Sequence, residues 1–313
     1  MTIKNYENGQ ELKILELFEL VFKQKLSIEN WTWRFRDNPA GKFFIKLMWD
    51  SGRLVGHYAV SPTIMKVDGQ DVLTALSLTT MTHPDYTGKG IFKKLSKSLY
   101  EDLDDKYACK AVWGFPNNNS HYGFVKRLGW SNLAIIHTLG IDAKKILSKD
   151  LIFKAKKIQR FDTSLSNFIH EKINSPVYVK RDKTYLNWRF IDKPNTSYHS
   201  YEFNSNSGKA ILIIKFYPVG NDSYDLNIVD CYMDDFDDIQ DYLIFIIEKS
   251  KKSINRITLW KNLFDRHHLN LEKIGFVPVL PQTYISTRSH QSMPKSFSDF
   301  KNWHISMSDS DVF

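Results

Sequence analysis

At 313 residues the chain has the length of two average domains, and 42% hydrophobic with 25% charged residues is ordinary globular composition, which excludes a disordered chain. The longest apolar runs, Ala210 to Ile214 and Tyr242 to Ile247, are too short to span a bilayer, and the polar start from Met1 to Leu12 has no signal-peptide core, so a cytoplasmic protein without a membrane span is expected. The net charge of +8, from 43 Lys+Arg against 35 Asp+Glu, suits phosphate-rich small ligands; the lysines are dispersed apart from a cluster at 144–157, and no nucleic-acid motif accompanies them.

In chain order, Glu11 to Phe22 carries apolar residues along one broad face and predicts a helix. Arg53 to Met65 and Val72 to Thr82 read as paired strands joined by a turn at Val67-Asp68-Gly69-Gln70. Ile91 to Leu103 is helical, with Phe92, Leu95, Leu99 and Leu103 on one face. Ala111 to Phe115 is a short buried strand, His121 to Leu128 a helix that Gly129 stops, and Trp130 to Leu139 another strand. The stretch from Ala143 to Asp182 holds a linker and an amphipathic helix, Thr163 to Ile173.

The chain then repeats itself. Trp33 to Pro39 reads W-R-F-x-D-x-P, and so does Trp188 to Pro194. Each copy is followed by a strand-like run opening after a glycine, Gly52 to Val60 and Gly208 to Phe216. Each half closes on a basic-aliphatic-Gly-aromatic step, Arg127 to Trp130 and Lys273 to Phe276. Three features in one order imply duplication, with a first domain over 1–145, a linker over 146–180 and a second domain over 181–313. The fold class is α/β (α+β), each domain a mixed, mostly antiparallel sheet flanked by helices. The duplicated Trp33, Arg34, Trp188 and Arg189 fit packing behind a helix better than stacking on a ligand, because both halves keep them.

The halves differ at one place. The first carries Tyr86-Thr87-Gly88-Lys89-Gly90-Ile91-Phe92 between a strand and a helix, where the second has the acidic, glycine-free run from Asp230 to Asp241. Glycines let the backbone approach a ligand closely, and the first N–H groups of a helix lack intrahelical partners at the positive end of its dipole. Such a bend can cradle a diphosphate. It is neither the G-x-G-x-x-G fingerprint nor a P-loop. Cys109 and Cys231 fit buried free thiols better than a disulfide, and neither cysteine spacing nor an H-E-x-x-H motif points to a metal.

The segment THPDYTGKGIFKKL resembles the acyl-CoA-binding loop of the GNAT superfamily of N-acyltransferases, and WGFPNNNSHYGFVKRLGW resembles the strand and helix that follow it there. The resemblance covers about residues 10 to 140 and, more weakly, 180 to 285, implying two tandem GNAT-like domains with the second degenerate. It implies an enzyme using acyl-CoA as co-substrate, held by Thr87, Gly88, Lys89, Gly90, Ile91 and Phe92, with Thr87 at the usual Arg or Gln position and Phe92 replacing a closing Gly or Ala. The pantetheine arm would pair with the backbone of Thr80, Met81 and Thr82, and Asn118 matches a position that often contacts it. Where the family's frequent acid, a tyrosine, would stand, this chain has Val125; Tyr122, almost one turn earlier, is the candidate acid, and His83 and His57 are candidate bases. The tandem arrangement with WRF…NP, GFPN and GIFKKL looks like acyltransferases of bacterial surface-polysaccharide (O-antigen or capsule) pathways. That likeness implies transfer of an acetyl or short hydroxyacyl group, such as 3-hydroxybutyryl, to the amine of a dTDP-linked 3-amino-3,6-dideoxyhexose. The alternatives are a peptide or antibiotic N-acetyltransferase and a non-catalytic binding module of the same fold.

Overall fold

The structure, a computed structural model, describes residues 1–147 and 152–313. Residues 148–151, part of the expected linker and of the 144–157 lysine cluster, lie outside the described residues. The elements run β1 (Thr2–Asn5), α1 (Glu11–Phe22), α2 (Ile28–Phe35), β2 (Ile45–Asp50), β3 (Arg53–Val67), β4 (Gln70–Thr82), α3 (Ile91–Asp105), β5 (Ala111–Gly114), α4 (His121–Leu128) and β6 (Ser131–Asp142). They continue with β7 (Phe153–Lys157), α5 (Thr163–Lys172), β8 (Val177–Val179), α6 (Lys183–Phe190), β9 (His199–Ser205), β10 (Gly208–Gly220), β11 (Ser223–Met233), α7 (Ile239–Ser250), β12 (Ser253–Trp260), α8 (His268–Lys273) and β13 (Val277–Ser289).

Two compact units emerge. The first comprises Met1–Ala134, Asp192–Asn195 and Tyr284–Ser298; the second comprises Ile135–Ile191, Thr196–Thr283 and Asp299–Phe313. The halves expected at 1–145 and 181–313 are contiguous in sequence, whereas the units interleave. From Ile135 onward β6 belongs to the second unit and pairs with β12, and from Tyr284 onward β13 belongs to the first and pairs with β5.

In the first unit the strand order is β1-β2-β3-β4-β5-β13, antiparallel except for the parallel pair β4–β5. β3 is buried on both faces from Leu54 to Thr63, so its sequence shows no in-out alternation, and the polar His57, Ser61 and Thr63 are buried with their apolar neighbours. Its hairpin to β4 turns on Asp68 and Gly69, both at positive φ (47° and 81°), the requirement that an Asp-Gly pair meets at low cost. α3 lays Ile91, Leu95, Leu99 and Leu103 onto the sheet, where they join Val55, Tyr58, Val60, Phe124 and Trp130 in one core.

The second unit repeats the order of elements. α2 and α6 are both eight residues long, capped by Ser27 and Asp182, and both end in the W-R-F triplet with its Trp buried. β9, β10 and β11 pair antiparallel and β11–β12 parallel, as β2 to β5 do. Here the acidic run expected to lack an anion site begins in the core. Asp230, at the end of β11, is 2% exposed and is bound by the guanidinium Nε of Arg181 at 3.2 Å, while Nη2 of Arg181 donates to Asp309 at 2.7 Å. Burial opposes ionisation of Asp230, but Arg181 and then His304 overcome it and hold the carboxyl far below the usual range.

Candidate active site

The site is built on β4. Between Ala59↔Leu78 and His57↔Met81 the register with β3 slips, so that Thr79 and Thr80 together oppose Tyr58: a β-bulge. Thr79 takes φ +52°, unusual for a β-branched residue. On its other side β4 pairs with β5 only from Thr74↔Ala111 to Leu76↔Trp113. Beyond Leu76 the two strands part, so Ser77 to Thr82 has no strand partner on that edge among the described residues. At the apex of the parting, Gly114 lies so close to the Ser77 backbone that a Cβ there would stand 3.2 Å from the Ser77 carbonyl. Behind the apex the Tyr58 hydroxyl meets Ser77 Oγ at 2.9 Å and the Tyr100 hydroxyl at 3.0 Å, and Trp130 Nε1 donates to Tyr100 at 2.9 Å. Nothing local in the sequence marks either the bulge or this hydroxyl chain.

The free edge of β4 leads into the glycine bend. Pro84 to Tyr86 form one helical turn, and Thr87 closes it by bonding the Pro84 carbonyl through both its N–H (3.3 Å) and its hydroxyl (3.0 Å). Gly88 and Gly90 stand at φ +77° and +70°, and a Cβ on either would touch nothing within 4 Å. Their need for glycine is therefore conformational, and the bend stays open to solvent. Gly90 caps α3, whose first intrahelical bond is Lys94 N–H to the Gly90 carbonyl at 3.1 Å, leaving the N–H groups of Ile91, Phe92 and Lys93 without helical acceptors. No acidic residue occupies the first turn of α3, and Lys93 and Lys94 are exposed there. The first turn of α3 thus offers an anion its free N–H groups with no carboxylate of its own.

The residues singled out by sequence sit as follows. Thr80, Met81 and Thr82 lie on the unpaired edge, with the Met81 side chain buried so that its backbone alone faces the parting. Ile91 is 1% exposed, and Phe92 packs edge-on against Tyr58 and Phe124, so these two also offer only backbone to a ligand. Lys89 rests over the Tyr86 ring at 4.2 Å, and the Tyr86 hydroxyl bonds Asp50 at 2.8 Å. Asn118 is exposed in the turn after β5, which its neighbour Asn117 organises by accepting from the N–H groups of Asn119 and Ser120. Tyr122 is 63% exposed in the first turn of α4.

The two histidines differ. His83 Nε2 lies 2.6 Å from an Arg53 nitrogen; arginine only donates, so that lone pair is occupied. Nδ1 of His83 accepts the Asp85 N–H at 3.2 Å, capping the turn, and lies 3.7 Å from the Asp85 carboxylate. A neutral ring cannot accept at both nitrogens at once, so the Arg53 and Asp85 contacts compete for it. His57 is fully buried and its Nδ1 lies 2.8 Å from the Thr79 carbonyl. Burial, against the pull of that carbonyl, lowers its pKa to about 4.

The unpaired edge, the open bend and the free helix N–H groups together offer backbone donors to an extended ligand with an anionic end. Among the described residues no group of three or more His, Cys, Asp or Glu is placed to hold a metal ion, and no helix is long and apolar enough to cross a membrane.

Comparison with known proteins agrees with this geometry. The family model described as an acetyltransferase (GNAT) domain matches residues 2–133. No curated protein sequence matches the chain. Among solved structures, the chain is similar to a GCN5-related N-acetyltransferase from Anabaena variabilis, at TM-score 0.71 and 14% identity, covering 92% of this chain and 72% of that one. A probable N-acyltransferase from Enterococcus faecalis follows at TM-score 0.69 and 16% identity, with the same coverage. The N-myristoyltransferase of Saccharomyces cerevisiae, solved with bound myristoyl-CoA, shares the fold at TM-score 0.60 and 10% identity, over 94% of this chain and 80% of that one. Residues 2–133 thus match an acetyltransferase (GNAT) domain, the match that supports acyl-CoA-dependent N-acyltransferase activity, and the solved structures share the fold.

Proposed function

We propose that the chain moves an acetyl or short hydroxyacyl group, such as 3-hydroxybutyryl, from acyl-CoA to the amine of a dTDP-linked 3-amino-3,6-dideoxyhexose, for bacterial surface-polysaccharide synthesis. The observation that carries the donor side is the unpaired β4 edge from Ser77 to Thr82 running into the Gly88–Gly90 bend at the head of α3. Thr80, Met81 and Thr82 pair with the pantetheine, while the bend and the first turn of α3, from Thr87 to Phe92, take the diphosphate. Asn118 reaches the arm from the β5 side. The neutral amine attacks the thioester carbonyl, the nitrogen gives up its extra proton to solvent, the C–S bond breaks as the tetrahedral intermediate collapses, and Tyr122 protonates the departing thiolate and regains its own proton from solvent. Backbone N–H groups near Met81 stabilise the oxyanion, the largest single contribution in such sites.

The nucleotide-sugar acceptor is supported by the W-R-F, GFPN and GIFKKL segments and by the basic excess of +8. A cavity of about 460 Å³ beside His83 adds to this, because Lys13 and Arg53 stand on its wall with Glu16. Bases suit the phosphates of such an acceptor and a carboxylate suits its amine. Thiol release from acetyl-CoA and 3-hydroxybutyryl-CoA, measured with a dTDP-3-amino sugar, a cationic peptide and an aminoglycoside, tests the proposal. Turnover with the sugar alone supports it; saturation by the peptide or the aminoglycoside instead replaces the acceptor, and no release with any amine refutes the enzyme reading.

A further inference from the structure

We infer that His57 is a positioning residue that holds the β4 bulge in its working shape by donating a hydrogen bond from Nδ1 to the Thr79 carbonyl. The tautomer follows from the partner. A carbonyl only accepts, so Nδ1 carries the hydrogen at this 2.8 Å contact, and Nε2 bears the lone pair. That Nε2 is buried and has no hydrogen-bond partner. A buried acceptor left unpaired is costly, and a leucine of similar size would avoid the cost altogether. Retaining the histidine makes physical sense when its other nitrogen does something a hydrocarbon cannot.

What it does is visible at Thr79. A β-branched residue at φ +52° is strained, and such backbone persists only where the surroundings over-determine it. The strain lies one residue before Thr80 and two before Met81, the backbone whose N–H groups face the thioester in the proposed reaction. His57 itself pairs with Met81 across the β3–β4 ladder, so one residue fixes both sides of the bulge, by its backbone at Met81 and by its imidazole at Thr79. Its ring is held edge-on by Phe35 of α2, with centroids 6.4 Å apart. A packed, oriented ring suits a strut; a general base would need access to the amine, and His57 is 0% exposed.

This role presupposes the acyl transfer proposed above. The test compares His57→Leu, His57→Asn and the double variant His57→Leu/Thr79→Gly by thiol release and by acyl-CoA binding, with thermal melts as the folding control. Asparagine sets an amide N–H near the Nδ1 position, and glycine at 79 removes the φ penalty while keeping the carbonyl. The expected result is a fall in kcat of about a hundredfold in His57→Leu, the scale of a misplaced catalytic group, with acyl-CoA affinity within about threefold. His57→Asn and the double variant should each recover most of the loss. If His57→Leu does not fold, His57→Asn and the double variant decide alone. Full activity in His57→Leu overturns the inference while leaving the enzyme reading intact, as does an inactive but folded His57→Asn. A wild-type chain that releases no thiol from any acyl-CoA refutes the enzyme reading, and this role with it.

Discussion

Gly56 on β3 is the seat of Ile91, the first residue of α3: a Cβ on Gly56 would collide with Ile91 Cγ2 and stand 3.1 Å from Leu95 Cδ1. The contact clamps the start of α3 to the sheet at the point where its free N–H groups face the glycine bend. Gly56→Ala forces the helix away, and overpacking of this kind costs about 1–3 kcal/mol. Urea unfolding should register that loss, and coenzyme A affinity should fall further than stability does, because the displaced groups are those proposed to take the diphosphate.

Tyr122 stands exposed in the first turn of α4, where removing its hydroxyl leaves the fold untouched. Tyr122→Phe should slow kcat by about 10²–10⁴-fold if it protonates the thiolate, with an unchanged melting temperature. Wild-type kcat in the variant removes Tyr122 from the mechanism.

His57 also leaves a signature in stability against pH. Its folded pKa, lowered to about 4, lies below the ordinary histidine value near 6.5, so the unfolded chain binds the extra proton between those limits. The sign is therefore fixed: the contribution is complete above pH 6.5 and is lost as pH falls toward 4. Between pH 7 and 5 the wild type should lose about 2 kcal/mol through this group, read by urea unfolding. His57→Asn, with no titrating ring, should show a correspondingly shallower pH dependence.

In the second unit, Arg181 and Asp309 are both fully buried and joined at 2.7 Å. Asp309→Ala leaves the buried guanidinium with Asp230 as its one paired carboxylate among those named here and should cost about 3–5 kcal/mol. Chemical denaturation of the variant checks this, and an unchanged midpoint would show that Asp230 alone neutralises the arginine.

Local chemistry made much of the fold legible. The helices at Glu11–Phe22 and His121–Leu128 stand at the bounds their periodicity gives, the latter because Gly129 takes φ +70° as its C-cap. The Asp68-Gly69 hairpin and the Gly88–Gly90 bend are likewise short-range events with their own residues. The bulge was not legible: Thr79-Thr80 looks like any β-branched strand, and the slip exists only in its register with β3. The same holds for Arg53 on His83, 30 residues apart, and for Arg181 on Asp230, 49 apart, where neither residue names its partner from the sequence. The exchange of closing strands between the units has no local signal either, since β6 and β13 have the composition of strands wherever they pair.

The central claim is that one glycine bend, in the first unit alone, grips the acyl-CoA. Isothermal titration of acetyl-CoA into the wild type, Gly90→Ala and Gly90→Asp tests it most directly: a Cβ at 90 meets no protein atom within 4 Å, both variants bear the same backbone cost at φ +70°, and they differ in the charge an incoming diphosphate encounters. The expected result is one site per wild-type chain and none in a Gly90→Asp variant that melts as Gly90→Ala does. Two sites per chain, or binding that survives in Gly90→Asp, would contradict it.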